Sequence, residues 1–419
     1  MGLGAALVSY ARVRSFATRF RTPEAVAAWQ DKQLTRWLKE DVPQVAAFAG
    51  PVQRLDDLPI MDKADLMADF ARYNVPKISN AQGWDAFAGN KQIGGFVVGA
   101  STGTSGNRGL FVISQAERFA WLGAILAKTI PDFWRHKDRV AILLPLDTPL
   151  YDSANKTRRL SLQFIDINAP FDQVCTTIQA FDPTVIVAPP RILRAIARAA
   201  LPLTPRRIFT AAETCDALDR DIITKAFDQS LGEIYMATEG LFATTCAHGR
   251  LHLAQDCMHF ELEPAGNGLV TPIISDFSRK TQIMARYRMN DLLQLDPDAC
   301  PCGSPLQAVT QVVGRQDDVF HLTGDQGQPV MLTPDILRNA VVDADRRIID
   351  FRLVQTGATQ IALHLSPTLD ATAQGAARAA LTTLLSGHGC SEIVIESHAL
   401  IPHDTGKLRR VRRDWSPHK

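Results

Sequence analysis

Three short apolar runs in the middle of the chain constrain its fold more than any other feature. They read "RVAILLP" (139–145), "TVIVAPP" (184–190) and "RRIFTAAE" (206–213), and the last two are each followed by a helical stretch. Apolar runs of this length, without polar alternation, are typical of strands buried on both faces of a sheet. Strands that alternate with helices predict an α/β core with a largely parallel sheet.

Further elements are predicted on both sides of these runs. Residues 5–48 have helical spacing, Asp62 is a candidate helix N-cap, and residues 250–313 are rich in strand patterns. The loop at 100–109 lies between two strands and is followed by a helix at 115–130. Beyond residue 322 the spacing predicts a helix, two strands, a helix, a strand and a polar tail, with the regular elements near 334–342, 351–355, 360–365, 371–386 and 393–396.

These patterns predict two domains joined by a short polar hinge. Residues 1–314 form a large N-terminal domain, in which helices flank mixed and parallel sheets and a strand-rich subdomain follows. The hinge is predicted at 315–318, and residues 319–419 form a small mobile C-terminal α/β domain. About 100 residues are enough for an independent domain.

Composition excludes several classes of function. The formal net charge of the 419 residues is +1, so no overall basic field recruits nucleic acid or a membrane surface. No run approaches the ~18 apolar residues of a transmembrane helix, and the first residues are too weakly apolar for a signal peptide. Seven irregularly spaced cysteines in a long chain favour reduced thiols. We therefore expect a cytoplasmic protein with neither a nucleic-acid nor a membrane partner.

The loop "ASTGTSGNRG" (100–109) combines glycines with hydroxyl side chains. Glycines allow backbone N–H groups to converge on an anion, and hydroxyls donate to phosphate oxygens. Taken alone, such a loop is also typical of a plain surface turn. It lacks the spacing and terminal lysine of a P-loop, and a strand rather than a helix follows it.

Polar residues later in the chain add to this candidate phosphate site. Glu239, in "YMATEG", offers a carboxylate that could hold Mg²⁺ against ATP phosphates, and Asp291, in "RYRMNDLL", could accept from both ribose hydroxyls. Lys407 lies in a glycine-marked loop, "DTGKLRRV". The alternatives are a loop cap for Asp291 and a solvated charge for Lys407.

In this order, from "DLPIMDKADL" (57–66) to "GKLRRV", these segments resemble the adenylate-forming superfamily of acyl-CoA synthetases, luciferases and peptide-synthetase adenylation domains. Within it the chain looks most like phenylacetate–CoA ligases and the related deazaflavin-coenzyme adenylating synthetases. The resemblance implies that the loop holds the β- and γ-phosphates of ATP with Ser101, Thr102, Gly103, Thr104, Ser105 and Gly106.

The same resemblance implies roles for the later residues. It implies Tyr235 against adenine, Glu239 on Mg²⁺ beside Thr238, Asp291 on the ribose, Arg315 and Glu213 at the nucleotide, Asp317 at the hinge, and Lys407 between the acid's carboxylate and ATP. The implied reaction joins a small carboxylic acid to AMP with release of pyrophosphate, and the apolar residues near 208–212 and 241–242 favour an aromatic or apolar acid. Positioning and electrostatics carry such a reaction, and no covalent protein nucleophile is needed.

The acyl acceptor implied by the resemblance is a thiol, either CoA or the phosphopantetheine of an acyl-carrier protein. The turn "LTGDQGQPVML" (322–332) is acidic where relatives usually carry an Arg-Gly turn. Whether CoA is the acyl acceptor therefore stays open. The basic segment "KLRRVRRDW" (407–415) is either a solvated tail or a dock for an acidic carrier protein. A homodimer is one oligomeric state that the resemblance allows.

Two other functions stay open at the level of sequence. One is a nucleotidyltransferase that adds AMP to a coenzyme, as the deazaflavin relatives suggest. The other is a non-catalytic nucleotide-binding homologue, against which the retained Glu239, Asp291 and Lys407 argue.

Two cysteine- and histidine-containing segments suggest a metal site. "CAHGRLH" supplies Cys246, His248 and His252, and "CPCG" supplies Cys300 and Cys302. Four such ligands suit tetrahedral zinc in a structural role, although buried thiols, with Cys257 equally eligible, are the alternative. The family resemblance favours the set Cys246, His252, Cys300 and Cys302.

Overall fold

A computed structural model describes residues 2–101, 108–145, 159–401 and 409–416 of the chain. Within these ranges the α-helices are α1 (Gly2–Arg19), α2 (Pro23–Glu40), α3 (Lys63–Ala68), α4 (Asn80–Ala88), α5 (Gln115–Thr129), α6 (Phe171–Phe181), α7 (Pro190–Arg198), α8 (Ala217–Phe227), α9 (Pro334–Ala344) and α10 (Ala371–Gly387). None of these helices has the length and apolar character needed to cross a membrane.

The strands of the same described ranges fall into four sheets. The first ten are β1 (Gln92–Ile93), β2 (Phe96–Ala100), β3 (Leu110–Ser114), β4 (Asp138–Leu144), β5 (Leu160–Asp166), β6 (Val185–Ala188), β7 (Arg207–Ala211), β8 (Leu231–Ala237), β9 (Gly240–Thr245) and β10 (Leu251–Leu253). The others are β11 (His259–Gly266), β12 (Leu269–Ser275), β13 (Tyr287–Arg288), β14 (Asp291–Leu295), β15 (Ala308–Arg315), β16 (Phe320–Thr323), β17 (Pro329–Leu332), β18 (Phe351–Gly357), β19 (Gln360–Leu365), β20 (Val394–Ala399) and β21 (Val411–Arg413).

The largest sheet has the order β11-β12-β14-β15-β10-β9-β8-β7-β6-β4-β5, with β13 beside β12. From β5 to β8 all neighbours are parallel, and β8 pairs with β9 in the antiparallel sense. The three apolar runs are β4, β6 and β7 of the parallel part. The predicted α/β core and the strand-rich region that follows it are confirmed.

Helices cover both faces of the parallel strands, which explains why the apolar runs show no alternation. Val140 of β4 packs on one face with residues of α1 and α5. Its neighbours Ala141 and Leu143 pack on the other face with residues of α6, α7 and α8.

The structure confirms one predicted helix cap and adds a second cap that was not predicted. The Asp62 carboxylate accepts from the backbone N–H groups of Ala64 and Asp65 and begins α3, which confirms it as an N-cap. The Ser114 hydroxyl oxygen accepts from the Glu117 backbone N–H at the start of α5, and the Glu117 carboxylate accepts from the Ser114 backbone N–H. This capping box fixes where α5 begins after β3.

The chain divides into two compact units, one of residues 1–289 and 294–311 and one of residues 290–293 and 312–419. The smaller unit holds a four-stranded sheet of order β20-β19-β18-β21, and residues of α9 and α10 complete its core. The strand predicted near 393–396 is present as β20, Val394–Ala399. The prediction that only a polar tail follows it is wrong, because Val411–Arg413 form a strand that pairs in parallel with β18.

Candidate functional site

The Ser/Thr/Gly loop connects the antiparallel strands β2 and β3. Ser101 closes it, because its backbone N–H donates to the Gly109 carbonyl at 2.8 Å and its hydroxyl oxygen accepts from the Gly109 N–H at 2.8 Å. The Ser101 hydroxyl still has its own proton to donate. The other residues implied at the phosphates, Thr102, Gly103, Thr104, Ser105 and Gly106, lie outside the described residues.

Arg108 stands where many relatives of the implied family carry a lysine. Its Nε donates to the Ser101 carbonyl at 3.0 Å, and its guanidinium lies 5.0 Å from the Phe87 ring centroid and 5.8 Å from that of Trp84. Both aromatic residues belong to α4. The cation is therefore held at the base of the loop by stacking and by one backbone hydrogen bond.

Glu239 and Thr238 form the turn between β8 and β9, at the carboxyl end of a parallel strand. One Glu239 oxygen accepts from the Thr238 hydroxyl at 2.8 Å, and the other accepts from the Tyr287 hydroxyl at 3.3 Å. Both donors are neutral, so the carboxylate is oriented while its negative charge remains available. Gly240 permits this turn with a φ of +155°, and a Cβ there would lie 2.7 Å from Met258 Cε.

A buried ion pair supports the turn from below. Arg279 donates from Nη2 to the Thr238 carbonyl at 2.8 Å, and its Nε lies 3.4 Å from Asp276 Oδ2. Burial raises the pKa of Asp276, and the nearby Arg279 guanidinium acts against that rise. Sequence reasoning missed both residues, because "SDFSRKT" carries no motif that separates them from an ordinary polar loop.

Two further nucleotide candidates lie at the same edge of the sheet. Tyr235 is near the end of β8, and its ring packs on Phe242 at a centroid distance of 5.0 Å. Glu213 comes just after the neighbouring strand β7, with a side chain only 6% exposed and an oxygen 3.1 Å from Arg191 Nε. The carboxyl ends of parallel strands form the usual ligand crevice of α/β sheets. The structure therefore brings Tyr235, Thr238, Glu239 and Glu213 to one edge, and it pairs Glu213 with a cation that the sequence did not reveal.

Asp291 and Arg315 belong to the smaller unit. Asp291 begins β14, Arg315 ends β15, and these two strands are neighbours in the sheet. Just beyond them, Asn290 binds the predicted hinge, since its carbonyl accepts from the Gln316 N–H at 2.8 Å and its side-chain amide donates to Asp317. Rotation about residues 315–318 stays a prediction.

The basic C-terminal segment is held by internal contacts. Arg409 pairs with Asp318, and Arg410 donates to the Ile349 carbonyl at 3.0 Å. Arg413 donates to the Asp317 carbonyl at 3.2 Å. The interpretation of residues 409–413 as a solvated tail is therefore wrong, because three arginines bind groups of the smaller unit. Lys407 lies outside the described residues.

The four residues of the expected zinc set come together in the larger unit. Their ligand atoms, from Cys246, His252, Cys300 and Cys302, all lie within 4.8 Å of one another. The Sγ atoms of Cys246 and Cys300 are 3.6 Å apart, and Cys302 Sγ lies 3.4 Å from His252 Nε2. Tetrahedral zinc with Zn–S bonds of about 2.3 Å requires sulfur separations of about 3.8 Å, so this donor set fits that metal.

Local hydrogen bonds orient these donors. His252 Nδ1 lies 3.0 Å from the Leu306 carbonyl, which fixes the proton on Nδ1 and leaves the Nε2 lone pair toward the sulfurs. Burial lowers the pKa of His252, which favours the neutral ring that binds metals. The Cys246 sulfur accepts from the His248 backbone N–H at 3.4 Å, and the Cys302 sulfur accepts from the Ser304 N–H at the same distance.

The two competing residues take no part in this cluster. The His248 side chain is exposed, and only its backbone contacts a cluster atom. Cys257 is buried beside α1, with its sulfur 4.0 Å from Arg12 Nη2. The structure thus separates the four-residue set from the alternatives that the sequence left open.

Comparison with known proteins identifies the fold. No family model matches the chain. Crystal structures of 2-hydroxyisobutyryl-CoA ligase are similar, and one in the postadenylation state with 2-HIB-AMP has a TM-score of 0.66 and 18% identity, over 93% of this chain and 89% of that one. A fatty acyl-adenylate ligase structure, from a study of the E. coli and L. pneumophila enzymes, has a TM-score of 0.53 and 17% identity, over 75% of this chain and 67% of that one.

One curated protein is similar in sequence. Protein CapK of Staphylococcus aureus is 27% identical over 174 residues, which cover 41% of this chain. The matched region spans 38% of the length of that relative.

Proposed function

We propose that this chain, which has the fold of the adenylate-forming ligases, activates a carboxylic acid as its acyl-adenylate and then transfers the acyl group to a thiol. The observation that carries the proposal is the Glu239 turn, where two neutral hydroxyl groups orient a carboxylate at the carboxyl edge of the parallel strands. Such a carboxylate suits the metal that accompanies ATP, since Mg²⁺ prefers carboxylate oxygens.

In the proposed first step, the substrate carboxylate attacks the α-phosphate of ATP and pyrophosphate leaves. The backbone and hydroxyl groups of the 101–106 loop bind the β- and γ-phosphates, and Tyr235 packs against adenine. Glu239, with Thr238 beside it, holds Mg²⁺, which neutralises charge on the phosphates when bound. Arg279 acts as a positioning residue, because it holds the Thr238 carbonyl and so fixes the turn that presents Glu239.

Asp291 and Arg315 are proposed to contact the nucleotide as well. Asp291 accepts hydrogen bonds from the ribose hydroxyls, and Arg315 contributes positive charge near the nucleotide. The proposal includes rotation of residues 319–419 about 315–318 between the two half-reactions, which removes Lys407 after adenylation and admits the thiol.

The apolar residues behind the turn support a small aromatic or apolar acid as substrate. Leu241 and Phe242 follow it on β9 and are buried, and Phe209 and Ala211 of β7 are buried too. Leu241, Phe209 and Ala211 belong to one apolar cluster. The Cys246, His252, Cys300 and Cys302 set is proposed to bind a structural zinc ion, as in the phenylacetate–CoA ligase branch that the sequence resembles.

A row of basic side chains in the smaller unit supports CoA as the acceptor. Arg352, His364 and His398 are cross-strand partners on β18, β19 and β20, and the two histidine rings stack at 5.0 Å. Their neighbours Leu353, Leu363 and Ile395 face the core with α10, so the basic residues occupy the opposite face of the sheet. Arg412 of β21 lies on that face as well, as the register partner of Val354.

Two acids pair with members of this row. Asp414 binds Arg412 at 2.5 Å, and Glu396 lies 3.5 Å from His398. Among the described residues no hydrogen bond or ion pair engages the Arg352 side chain, and burial together with Arg412 lowers the pKa of Arg352. Like charges close together are unfavourable, and an anion bound at Arg352 would offset the effect of Arg412. The phosphates of CoA supply such an anion.

Replacing Arg352 by glutamine should raise the KM for CoA roughly tenfold or more, because one charge-assisted contact to phosphate is lost. Pyrophosphate exchange, which needs no thiol, should stay at the wild-type rate. Arg378→Gln is the matched control, since Arg378 is exposed on α10, over the other face of the same sheet. A KM for CoA that is equal in all three proteins would contradict a role for the row in acceptor binding.

The reaction itself is tested by acid-dependent exchange of pyrophosphate into ATP, with a panel of aromatic and aliphatic acids. One acid class should support exchange, and Glu239→Gln should lower the rate on the order of 10- to 100-fold because the metal is held less well. Arg288→Gln, an exposed change on β13, should leave the exchange rate unchanged. If none of the acids supports exchange, although the protein still binds ATP, this ligase reaction is excluded. AMP transfer to a coenzyme would then be the reaction to test.

A further inference from the structure

An exposed surface that is both apolar and basic lies on the larger unit, and the proposed ligase reaction does not use it. It consists of the outer face of α1 and the segment 131–137, and we refer to it as the α1 surface. Leu7, Val8 and Trp134 are 56%, 71% and 51% exposed, more than any other large apolar side chain in the described part of this unit. Leu7 and Val8 are adjacent on α1, and contiguous exposed apolar side chains mark an interaction site.

The apolar part of the α1 surface follows from helical spacing. Gly4, Leu7, Val8 and Ala11 are exposed at positions i, i+3, i+4 and i+7, and they therefore form one stripe along α1. The packed side of α1 lies elsewhere on the helix and includes the buried Val13 and Phe16.

The helix is fixed closely to the larger unit. A Cβ added to Gly123 of α5 would come within 2.1 Å of the Ala6 carbonyl oxygen, so the two helices are in backbone contact. Because α1 packs against α5 through a different side, the exposed stripe is available to a binding partner.

Positive charge surrounds the stripe. The first 22 residues contain Arg12, Arg14, Arg19 and Arg21 and no acidic residue, and all four arginines are exposed. The near-zero net charge of the whole chain conceals this local excess.

The segment 131–137 extends the same surface. The Tyr10 ring of α1 packs on Phe133 at 5.0 Å, and its hydroxyl donates to the Pro131 carbonyl at 2.6 Å. Next to this contact, the Arg135 guanidinium lies 4.6 Å from the Trp134 ring centroid. His136 and Lys137 are exposed beside them.

The acidic residue of this segment is already paired. Asp132 binds Arg206 at 3.2 Å, Arg207 at 3.1 Å and His136 at 3.3 Å. The α1 surface is therefore basic after local pairing is taken into account.

We propose that the α1 surface binds an anionic lipid membrane, with α1 lying in the plane of the interface. Leu7, Val8 and Trp134 enter the boundary between head groups and acyl chains, and the arginines contact the lipid phosphates. This proposal replaces the expectation of no membrane partner, which rested on the charge of the whole chain.

Two other occupants fit the surface less well. A symmetric second copy would place the same patch against itself and bring Arg12 and Arg14 against their own equivalents. A nucleic acid would satisfy the arginines but leave Leu7 and Val8 in water. An anionic membrane satisfies both parts of the surface.

The test is co-sedimentation of the full chain with vesicles of phosphatidylcholine alone or mixed with phosphatidylserine, at low and at physiological salt. We expect binding only with phosphatidylserine, and weaker binding as salt rises. Leu7→Ser with Val8→Ser should weaken binding at least tenfold, and Arg12→Gln with Arg14→Gln should weaken it on the order of fivefold for each charge.

Matched controls come from the smaller unit, where Val394→Ser and Arg346→Gln with Arg378→Gln change exposed residues of the same kinds. These variants should bind like the wild type, and all variants should retain pyrophosphate exchange, so failure here leaves the ligase proposal untouched. Equal binding to both vesicle types, or wild-type binding by the α1 variants, would overturn the proposal. A dimer that these variants dissociate, without vesicle binding, would assign the surface to a second copy instead.

Discussion

Replacing Cys302 by serine should remove stoichiometric zinc from the protein and lower its free energy of unfolding by ~3 kcal/mol or more. A metal ion that binds only the folded state stabilises the protein by an amount that grows with the logarithm of its affinity. A serine oxygen is a poor substitute for the thiolate that zinc selects, so the affinity falls steeply. The effect should be large because the site joins two turns that are 54 residues apart in the chain.

The measurement is metal content per chain, together with thermal unfolding before and after treatment with a chelator. The wild type should lose stability when zinc is removed, and Cys302→Ser should be unaffected by the chelator because it has no zinc to lose. Cys175→Ser, on α6 and outside the cluster, should keep both its zinc and its stability. Absence of zinc from the purified wild type, or an unchanged melting temperature in Cys302→Ser, would contradict a structural metal site.

The parallel core could be predicted because its signal is local. Each of β4, β6 and β7 carries its own short, mainly apolar run without polar alternation, as expected for a strand buried on two faces. The short strand β21 could not be predicted in this way. Its sequence, "VRR", is basic, and it becomes a strand because its register with β18 pairs its backbone and buries Val411.

In the candidate site, too, local motifs could be predicted and long-range contacts could not. Glu239 and the four residues of the proposed zinc site stand in short motifs, so their residue types could be read directly from the chain. Their partners could not, because Arg279 reaches Thr238 across 41 positions and Arg191 reaches Glu213 across 22. Such contacts depend on which strands become neighbours, and no spacing in the sequence encodes that.

Two predictions about charged segments were made from the charge of a segment, or of the whole chain, without knowledge of its contacts. Arg409 and Arg410 look like a solvated basic run, yet each binds a group of the smaller unit. In α1 the error runs the other way, because the whole-chain charge of +1 conceals three arginines of a helix that contains no acidic residue. Charge patterns become informative only when the packing around them is known.

Replacing Lys407 by alanine should reduce acid-dependent pyrophosphate exchange by roughly 10²- to 10³-fold, the usual cost of removing one electrostatic contact to the transition state. The proposed reaction brings an anionic carboxylate to the anionic phosphates of ATP, and the Lys407 ammonium group offsets that repulsion at the point of attack. Acyl transfer from an acyl-adenylate supplied ready-made should change little, because in the proposed mechanism Lys407 has left the site by then.

This difference between half-reactions is what separates a catalytic lysine from a structural one. A misfolded smaller unit would impair both steps, whereas loss of the ammonium group alone impairs the first. Lys407→Arg keeps the charge but not its compact shape, and should recover part of the exchange rate. Lys39→Ala, an exposed change on α2, controls for the loss of a surface charge. Equal losses in the two half-reactions would show that Lys407 supports the fold of its unit, and the adenylation step would then require another cation.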